Sequence, residues 1–216
     1  MPSGYAANLG ILASFADRHA AVFADPLDHA CLVDGALLSR ADFHRYPHGD
    51  VQSLGRALAE STAATKVIAT DAVFSMDGDL APLPDLLALA ERHDAWLVVD
   101  DAHGIGVLGG GRGSLAHFGL SSPRILYMAT LGKALGGYGA FVAGAADAIE
   151  WLLQRARTCV FSTALPPALA ACASEALAIV AQEPARVKAL HDRIAAFRTE
   201  LARGGIATSS GTAIQP

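Results

Sequence analysis

Short apolar runs alternate with longer stretches of helical periodicity along most of the chain. The runs are bounded by glycine, proline or short polar turns, a pattern typical of strands. The predicted strands are Ala20–Ala24, Phe43–Tyr46, Lys66–Ala72, Trp96–Val99 and Ile125–Thr130. A continuous apolar run indicates a strand covered on both faces, so we predict an α/β fold built on a mainly parallel sheet.

Apolar residues recur at three- and four-residue spacing between and after these strands, which predicts amphipathic helices. Pro84 opens one of them, and Gly204 and Gly205 end the last. The predicted helices are Ala6–Phe15, one directly after His29, Val51–Glu60, Asp85–His93, Ala145–Cys159, Pro167–Gln182 and Pro184–Arg203.

The composition limits the classes of protein that remain. With 216 residues, 52% of them hydrophobic, the chain is too apolar for disorder and long enough for one large domain. It has no long apolar run and no basic leader, so we expect a cytoplasmic protein without a membrane partner. The net charge of −5 argues against nucleic acid as a partner. Cys31, Cys159 and Cys172 are odd in number and lack paired spacing, which predicts buried free thiols.

Lys133 lies three residues past the predicted strand Ile125–Thr130, in the loop LGKALGG. Function in parallel sheets gathers at the carboxyl ends of strands. A lysine without an acidic neighbour in sequence is expected to be partly desolvated, which lowers its pKa and makes the amine a candidate nucleophile or base. The alternative is a lysine that reaches solvent from an ordinary turn.

The segment after Trp96–Val99 contains a possible dinucleotide-binding fingerprint at Gly104, Gly106 and Gly109. That fingerprint needs a helix directly after its glycines and an acid near the end of the second strand. Here more glycines follow, and the strand Ile125–Thr130 ends without an acid. The match therefore fits poorly.

Asp100, Asp101 and His103 suggest a metal site at the same strand end. Adjacent strand residues point to opposite faces, so only two ligands converge and we predict no metal. The earlier turn FSMDGDLAPLP lacks the further carboxylate of a calcium loop. We interpret it as a turn with one functional hydroxyl, that of Ser75.

Asp100 and Lys133 follow neighbouring predicted strands. A buried aspartate is costly unless it meets a cation, and the protonated pyridine nitrogen of pyridoxal phosphate (PLP) is such a cation. PLP sites pair that aspartate with a lysine that binds the cofactor covalently. The two residues therefore predict a PLP site.

Six blocks carry a specific resemblance over nearly the whole chain. They read, in order, SGYAANLG, DHAC around His29, VFSMDGDLAPL, LVVDDAHGIGVLGGGRG, TLGKALGG and STALPPA at Ser162–Ala168. They resemble the α-oxoamine synthases, PLP enzymes of the aspartate aminotransferase fold. The resemblance implies a three-layer sandwich, with the cofactor domain over 1–183, incomplete at its N-terminus, and the start of a small C-terminal domain over 184–216.

The resemblance also implies roles for single residues. Lys133 would bind the cofactor and move a proton, Asp100 would keep the pyridine nitrogen protonated, and His29 would stack on the ring. Ser75 and His103 would bond the ring hydroxyl, and Gly4, Tyr5, Thr130 and, from a partner subunit, Thr163 would hold the phosphate. Lys133, His103 and Asp100 are the implied catalytic residues.

The blocks DDAHGIGV, GRG and SGTAIQP are most similar to the biotin-pathway member of the family. This similarity implies condensation of L-alanine with a pimeloyl thioester, pimeloyl-CoA or pimeloyl-ACP, by a homodimer with shared active sites. The alternatives are another member, such as glycine C-acetyltransferase, or a remnant of the fold without activity.

Two departures from the family pattern stand out. The chain has His48-Gly49-Asp50 where the family usually shows His-Asn-Asp. Family members also extend beyond both ends of this chain, so we expect an unpaired sheet edge over Ala140–Ala143 and no activity of this chain alone.

Overall fold

The computed structural model describes residues 1–216, and a sheet of six strands forms its centre. The strands are β1 (Ala20–Ala24), β2 (Asp42–Arg45), β3 (Thr65–Asp71), β4 (Trp96–Asp100), β5 (Ile125–Thr130) and β6 (Ala140–Ala143). They follow the order β2-β1-β3-β4-β5-β6, and all neighbours are parallel except β6, which is antiparallel to β5. The predicted α/β fold with a mainly parallel sheet is confirmed.

Helices connect the strands and continue beyond the sheet. They are α1 (Gly4–Phe15), α2 (Ala30–Ser39), α3 (Val51–Glu60), α4 (Leu83–Arg92), α5 (Ser114–Phe118), α6 (Ala146–Arg155), α7 (Arg157–Val160), α8 (Pro167–Gln182) and α9 (Pro184–Arg203). The pattern missed the short helix α5. None of the helices combines the length and the apolarity that a bilayer crossing requires.

Side chains alternate between the two faces of the sheet and build a separate core on each face. Ile68 and Leu97 belong to one core, and their chain neighbours Val67 and Val98 belong to the other. All four are fully buried. Helices cover both faces, which gives the predicted three-layer sandwich and explains why the strands are continuous apolar runs.

The single helix predicted over Ala145–Cys159 is wrong, because the chain leaves the helical conformation at Ala156, between α6 and α7. Ala156 is 1% exposed, and the hydroxyl of Thr158 donates to the carbonyl of Ala6 in α1 at 2.7 Å. Packing against α1 accompanies the break. Such a tertiary contact is not encoded in the spacing of apolar residues.

The first residue of the chain pairs with strand β6. The ammonium of Met1 donates to the carbonyl of Ala140 at 2.9 Å, and the N–H of Ala140 donates to the carbonyl of Met1 at 3.0 Å. The edge over Ala140–Ala143, predicted as unpaired, is therefore paired at its first residue.

All three cysteines are free, as predicted, but they differ in burial. Cys31 is buried, Cys159 is half-buried and Cys172 is exposed. The prediction of buried thiols is thus wrong for Cys172. The helix that carries Cys172, α8, has Ala173 as its one buried residue, so most of its apolar surface faces outward.

The His48-Gly49-Asp50 turn ties two loops together. The imidazole of His48 bonds Asp25 through Nδ1 at 2.8 Å and Asp79 through Nε2 at 3.0 Å. Partial burial acts to lower the pKa of His48, but the two carboxylates together raise it. Gly49 has φ +65°, a conformation that both glycine and asparagine adopt, and Asp50 caps α3. Glycine in place of asparagine is therefore compatible with the same turn.

Candidate active site

A pocket opens at the carboxyl ends of β3, β4 and β5, beside the starts of α1 and α2. Its cavity volume is about 150 Å³. The lining residues are Gly4, Tyr5, His29, Cys31, Asp71, Val73, Ser75, Asp100, Ala102, His103, Met128, Thr130 and Lys133. The structure thus brings together every site residue named from the sequence except Thr163.

Thr163 lies outside this pocket, exposed in the segment between α7 and α8. The sequence resemblance implies that this residue acts across a subunit contact. A single chain does not test that role, so it stays a prediction.

Asp100 ends β4 and is 6% exposed. Its Oδ1 accepts the N–H of Ala102 at 2.9 Å, and its Oδ2 accepts the side-chain amide of Asn8 at 2.6 Å. Burial raises the pKa of Asp100, while these two hydrogen bonds and the charges of Lys133 and His29 act to lower it. A buried carboxylate on a pocket wall is suited to a cationic group of a ligand.

Asp101 faces away from the pocket. Its Oδ2 accepts the hydroxyl of Tyr127 at 2.5 Å and the N–H of Ser114 at 2.8 Å, which fixes the glycine-rich segment between β4 and α5. Turns and a short 3₁₀ helix at Gly109–Gly111 follow β4, so the helix that a dinucleotide fingerprint requires does not come directly after the glycines. No three His, Cys, Asp or Glu side chains converge in a way that could hold a metal ion.

Lys133 and His103 lie together on one side of the pocket. The Nζ of Lys133 lies 2.7 Å from Nε2 of His103. Much of the lysine side chain is exposed, but desolvation of its amine lowers the pKa of Lys133, although Asp100 and Asp71 act to raise it. Burial, helped by the charge of Lys133, lowers the pKa of His103 to about 4. The imidazole is therefore neutral at physiological pH, and its Nε2 can accept a hydrogen bond from the amine.

His29 and Cys31 occupy the start of α2. Nδ1 of His29 accepts the N–H of Cys31 at 3.2 Å and lies 2.9 Å from its Sγ, so the histidine caps the helix while its ring lines the pocket. Burial raises the pKa of the Cys31 thiol to about 12. The thiol therefore packs as a neutral group beside Asp100, with 3.9 Å between Sγ and Oδ2.

The first turn of α1 supplies donors at another side of the pocket. Ser3 caps the helix by accepting the N–H of Ala6 at 3.1 Å. The N–H groups of Gly4 and Tyr5 belong to the four at a helix start that have no partner within the helix. Together with the hydroxyl of Thr130 they suit an anionic group such as phosphate.

Sequence reasoning missed Asn8, Cys31 and Asp71. Asp71 ends β3 in register with Asp100 on β4, so the rule that placed Asp100 at the carboxyl edge could also have found Asp71. Asn8 lies four residues after Gly4 and therefore shares its face of α1. Cys31 carried no comparable signal.

Asp71 makes a pH-dependent contribution to stability. Burial, and after it the charge of Asp100, raises the pKa of Asp71 to about 8, against about 3.9 in an unfolded chain. Because the folded chain binds this proton more tightly, the stabilising contribution is complete below about pH 4 and is lost as the pH rises through about 8.

We therefore expect Asp71→Asn to make the free energy of unfolding less sensitive to pH. The difference between pH 6 and pH 8 should shrink by about 1–3 kcal/mol, measured by urea unfolding without ligand. Asp77→Asn, at an exposed acid of the following turn, is the matched control and should leave the difference unchanged. Equal pH dependence in Asp71→Asn and the parent chain would contradict the raised pKa.

Comparisons of sequence relate the chain to known enzymes. The model of the aminotransferase class I and II family matches residues 1–215. An 8-amino-7-oxononanoate synthase from Chromobacterium violaceum is 58% identical over 214 residues, which are 99% of this chain and 56% of that protein. The chain thus spans about half the length of the curated relatives that it matches.

Solved structures give the same relationship. A serine palmitoyltransferase from S. paucimobilis with a bound PLP-myriocin aldimine has a TM-score of 0.92 at 29% identity, over 98% of this chain and 56% of that one. The 8-amino-7-oxononanoate synthase from Francisella tularensis has a TM-score of 0.83 at 31% identity, over 100% of this chain and 63% of that one. The PLP in the first structure agrees with the cofactor that the sequence predicts. The matches of sequence and fold together establish that this chain belongs to the aminotransferase class I and II family.

Proposed function

We propose that the chain carries the cofactor site of an enzyme that condenses L-alanine with a pimeloyl thioester to give 8-amino-7-oxononanoate in biotin biosynthesis. The observation that carries this proposal is the placement of Lys133, His103 and Asp100 in one pocket. The names of the curated relatives support the choice of substrates. The thioester is either pimeloyl-CoA or pimeloyl-ACP.

The residues of the pocket fit PLP, which combines an aldehyde, a flat pyridine ring, a hydroxyl and a phosphate. Lys133 offers an amine, Asp100 a buried carboxylate and His29 a flat ring. Oδ1 of Asp71 is buried without a hydrogen-bond partner, although Asp71 lines the pocket. Buried polar atoms are rarely left unpaired, so this oxygen also favours a polar ligand.

In this proposal the chain's own residues bind the cofactor and move protons. Lys133 would bind the cofactor covalently, be released when the amine of alanine replaces it, and then take the Cα proton of alanine, and Asp100 would keep a proton on the pyridine nitrogen. When bound, PLP supplies the electron withdrawal that stabilises negative charge at Cα. His29 stacks on the ring; Ser75 and His103 bond its hydroxyl; and Gly4, Tyr5 and Thr130, with Thr163 of the partner subunit, hold the phosphate.

The proposed reaction forms one carbon–carbon bond at Cα and breaks another, together with the carbon–sulfur bond of the thioester. Cα of alanine bonds to the thioester carbonyl carbon, the thiol leaves, and the alanine carboxylate leaves as carbon dioxide while a proton returns to Cα. His103 is suited to orient the amine of Lys133, because its low pKa keeps the imidazole neutral and able to accept a hydrogen bond from Nζ.

A homodimer and two domains belong to the same proposal. Trp151, Leu153 and Phe161 are 46%, 53% and 74% exposed on or beside α6 and α7, near the segment that holds Thr163. Exposed apolar groups in one region favour a protein contact, and a second copy would cover them while supplying its threonine. We assign the cofactor domain to 1–183, which contains every pocket residue, and the start of a second unit to 184–216.

We further propose that this chain alone turns over slowly or not at all. No arginine lines the pocket, and a carboxylate substrate such as alanine is usually oriented by a bidentate arginine. Loss of such positioning can remove several orders of magnitude in rate.

The test combines binding with two substrate pairs. The purified chain with PLP is given L-alanine and pimeloyl-CoA, or glycine and acetyl-CoA, and products are measured by mass spectrometry. Product from the first pair supports the proposed substrates, and product from the second alone identifies a glycine C-acetyltransferase. Turnover near 1 per second or faster would show that the argument from the missing arginine is wrong.

Gly4→Ala is expected to weaken PLP binding about tenfold while leaving the fold intact. The added methyl would lie 3.5 Å from Cε of Met128 and 3.6 Å from Cβ of Thr130, ordinary contacts that require no rearrangement. It would, however, occupy space where a phosphate approaches the helix N–H groups. Titrations with PLP and with pyridoxal, which has no phosphate, separate the two effects. Equal weakening for both ligands would contradict phosphate binding at this turn.

A further inference from the structure

Asn8 is a buried amide that none of the roles above uses. It lies in the middle of α1 and is 0% exposed. Asparagine is a weak helix former, and the Oδ1 of this residue is buried without a hydrogen-bond partner. Residues that break such local preferences are expected mainly at functional or strained sites.

The amide nitrogen of Asn8 has two partners. Nδ2 lies 2.6 Å from Oδ2 of Asp100 and 3.0 Å from Sγ of Cys31. A carboxylate only accepts hydrogen bonds, so the amide must present its NH₂ group to Asp100. Asp100 stands 92 positions further along the chain, so the contact depends on the docking of α1 against the sheet.

The two oxygens of Asp100 are held from different directions. Ala102, just past the end of β4, donates its N–H to Oδ1, and Asn8 donates to Oδ2 from α1. Two such bonds fix the plane of the carboxylate and leave its remaining lone pairs for the pocket. A hydrogen bond to a charged group is also stronger than one between neutral groups, so it favours the ionised form.

We propose that Asn8 is a positioning residue that holds Asp100 ionised and oriented toward the ligand. The inference rests on the proposed function, because it assumes that Asp100 meets the pyridine nitrogen. Gly4 lies one turn earlier on the same face of α1 and belongs to the phosphate end of the pocket. One helix would thus fix the positions of both the phosphate donors and the carboxylate of Asp100. It would thereby fix the distance between the two ends of the cofactor site.

Other groups near Asp100 also influence its charge. Asp71 faces it from β3, His29 and Cys31 from the start of α2, and Lys133 from the loop after β5. A test of Asn8 must therefore measure the protonation of Asp100 itself rather than a property of the whole protein.

The first experiment needs no substitution at Asn8. In the chain without cofactor, NMR follows the side-chain carboxyl carbon of Asp100 and the side-chain NH₂ signals of Asn8 as the pH is changed. We expect both to report the same protonation step, and we expect this step to vanish from the amide signals in Asp100→Asn. Amide signals that ignore the titration of Asp100 would overturn the proposal.

The second experiment removes the donor. In Asn8→Ala we expect the proton affinity of Asp100 to rise about tenfold, the effect of losing one hydrogen bond to a charge, and the affinity for PLP to fall. Ser14→Ala is the matched control, because Ser14 is a buried polar residue of α1 whose hydroxyl bonds only the carbonyl of Gly10. It should change neither quantity.

The outcomes separate this inference from the proposed function. Unchanged titration of Asp100 in a folded Asn8→Ala variant contradicts the role of Asn8, even if the parent chain binds PLP. Failure of the parent chain to bind PLP through Lys133 contradicts the proposed function, whatever Asn8 does. If Asn8→Ala does not fold, the signals of the parent chain decide.

Discussion

Borohydride reduction of the PLP-treated chain is expected to leave one pyridoxyl group, on Lys133. The amine lies in the pocket beside His103, and desolvation lowers its pKa, so more of it is the neutral nucleophile that attacks an aldehyde. The only other lysines are Lys66, half-buried at the start of β3, and Lys188, which pairs with Asp192 at 2.7 Å. Peptide mapping by mass spectrometry locates the label.

Substitution tests the same assignment. Lys133→Ala should lose the label and, where condensation can be measured, lower its rate by about 10²–10⁴ from the loss of proton transfer alone. Lys66→Ala is the control and should keep both. A label that remains in Lys133→Ala, or that maps to Lys66 or Lys188, would show that the pocket is not the site of covalent attachment.

Asp100→Asn should separate cofactor binding from chemistry. The substitution keeps the shape of the side chain but removes the charge that would hold a proton on the pyridine nitrogen, so electron withdrawal from Cα should fail while the covalent adduct still forms. We expect exchange of the alanine Cα proton with deuterated solvent to fall by about 10²–10³, as for the loss of one preorganised electrostatic contact. Loss of the proton signal in NMR measures this rate at saturating PLP.

The neighbouring acid provides the matched control. Asp101 is fully buried, but its carboxylate bonds Tyr127 and Ser114 on the other side of the strand. Asp101→Asn should therefore exchange the alanine proton at the parental rate if thermal unfolding shows that it is folded. Parental exchange in Asp100→Asn instead would mean that this charge plays no part in the chemistry.

The sequence was most informative where a buried strand ends. Both faces of such a strand are covered, so its apolar run is unmistakable, and parallel strands end at one edge of the sheet. That reasoning placed Asp100 and Lys133 in one pocket without knowledge of the helices. It misses Asp71 because the predicted strand Lys66–Ala72 extends one residue past the observed end, so Asp71 lies inside the predicted strand rather than at its end.

Contacts between distant segments were beyond the sequence. The polar side chain of Asn8 can be buried on α1 because it donates a hydrogen bond to Asp100, which lies opposite it in the folded chain. The break at Ala156 likewise follows from packing against α1 rather than from the local pattern. The predicted role of Thr163 depends on contact between two subunits, which neither the sequence pattern nor a single chain describes.

The pairing of Met1 with Ala140 allows hydrogen exchange to measure how firmly the start of the chain is attached to β6. Helix α1 carries Gly4 and Asn8, and the two bonds between Met1 and Ala140 fasten the start of this helix to β6. The amide of Ala140 can exchange its hydrogen with deuterated solvent only when this fastening opens. Its exchange rate therefore reports how often the segment that leads into α1 separates from β6, in a chain that holds no ligand at all.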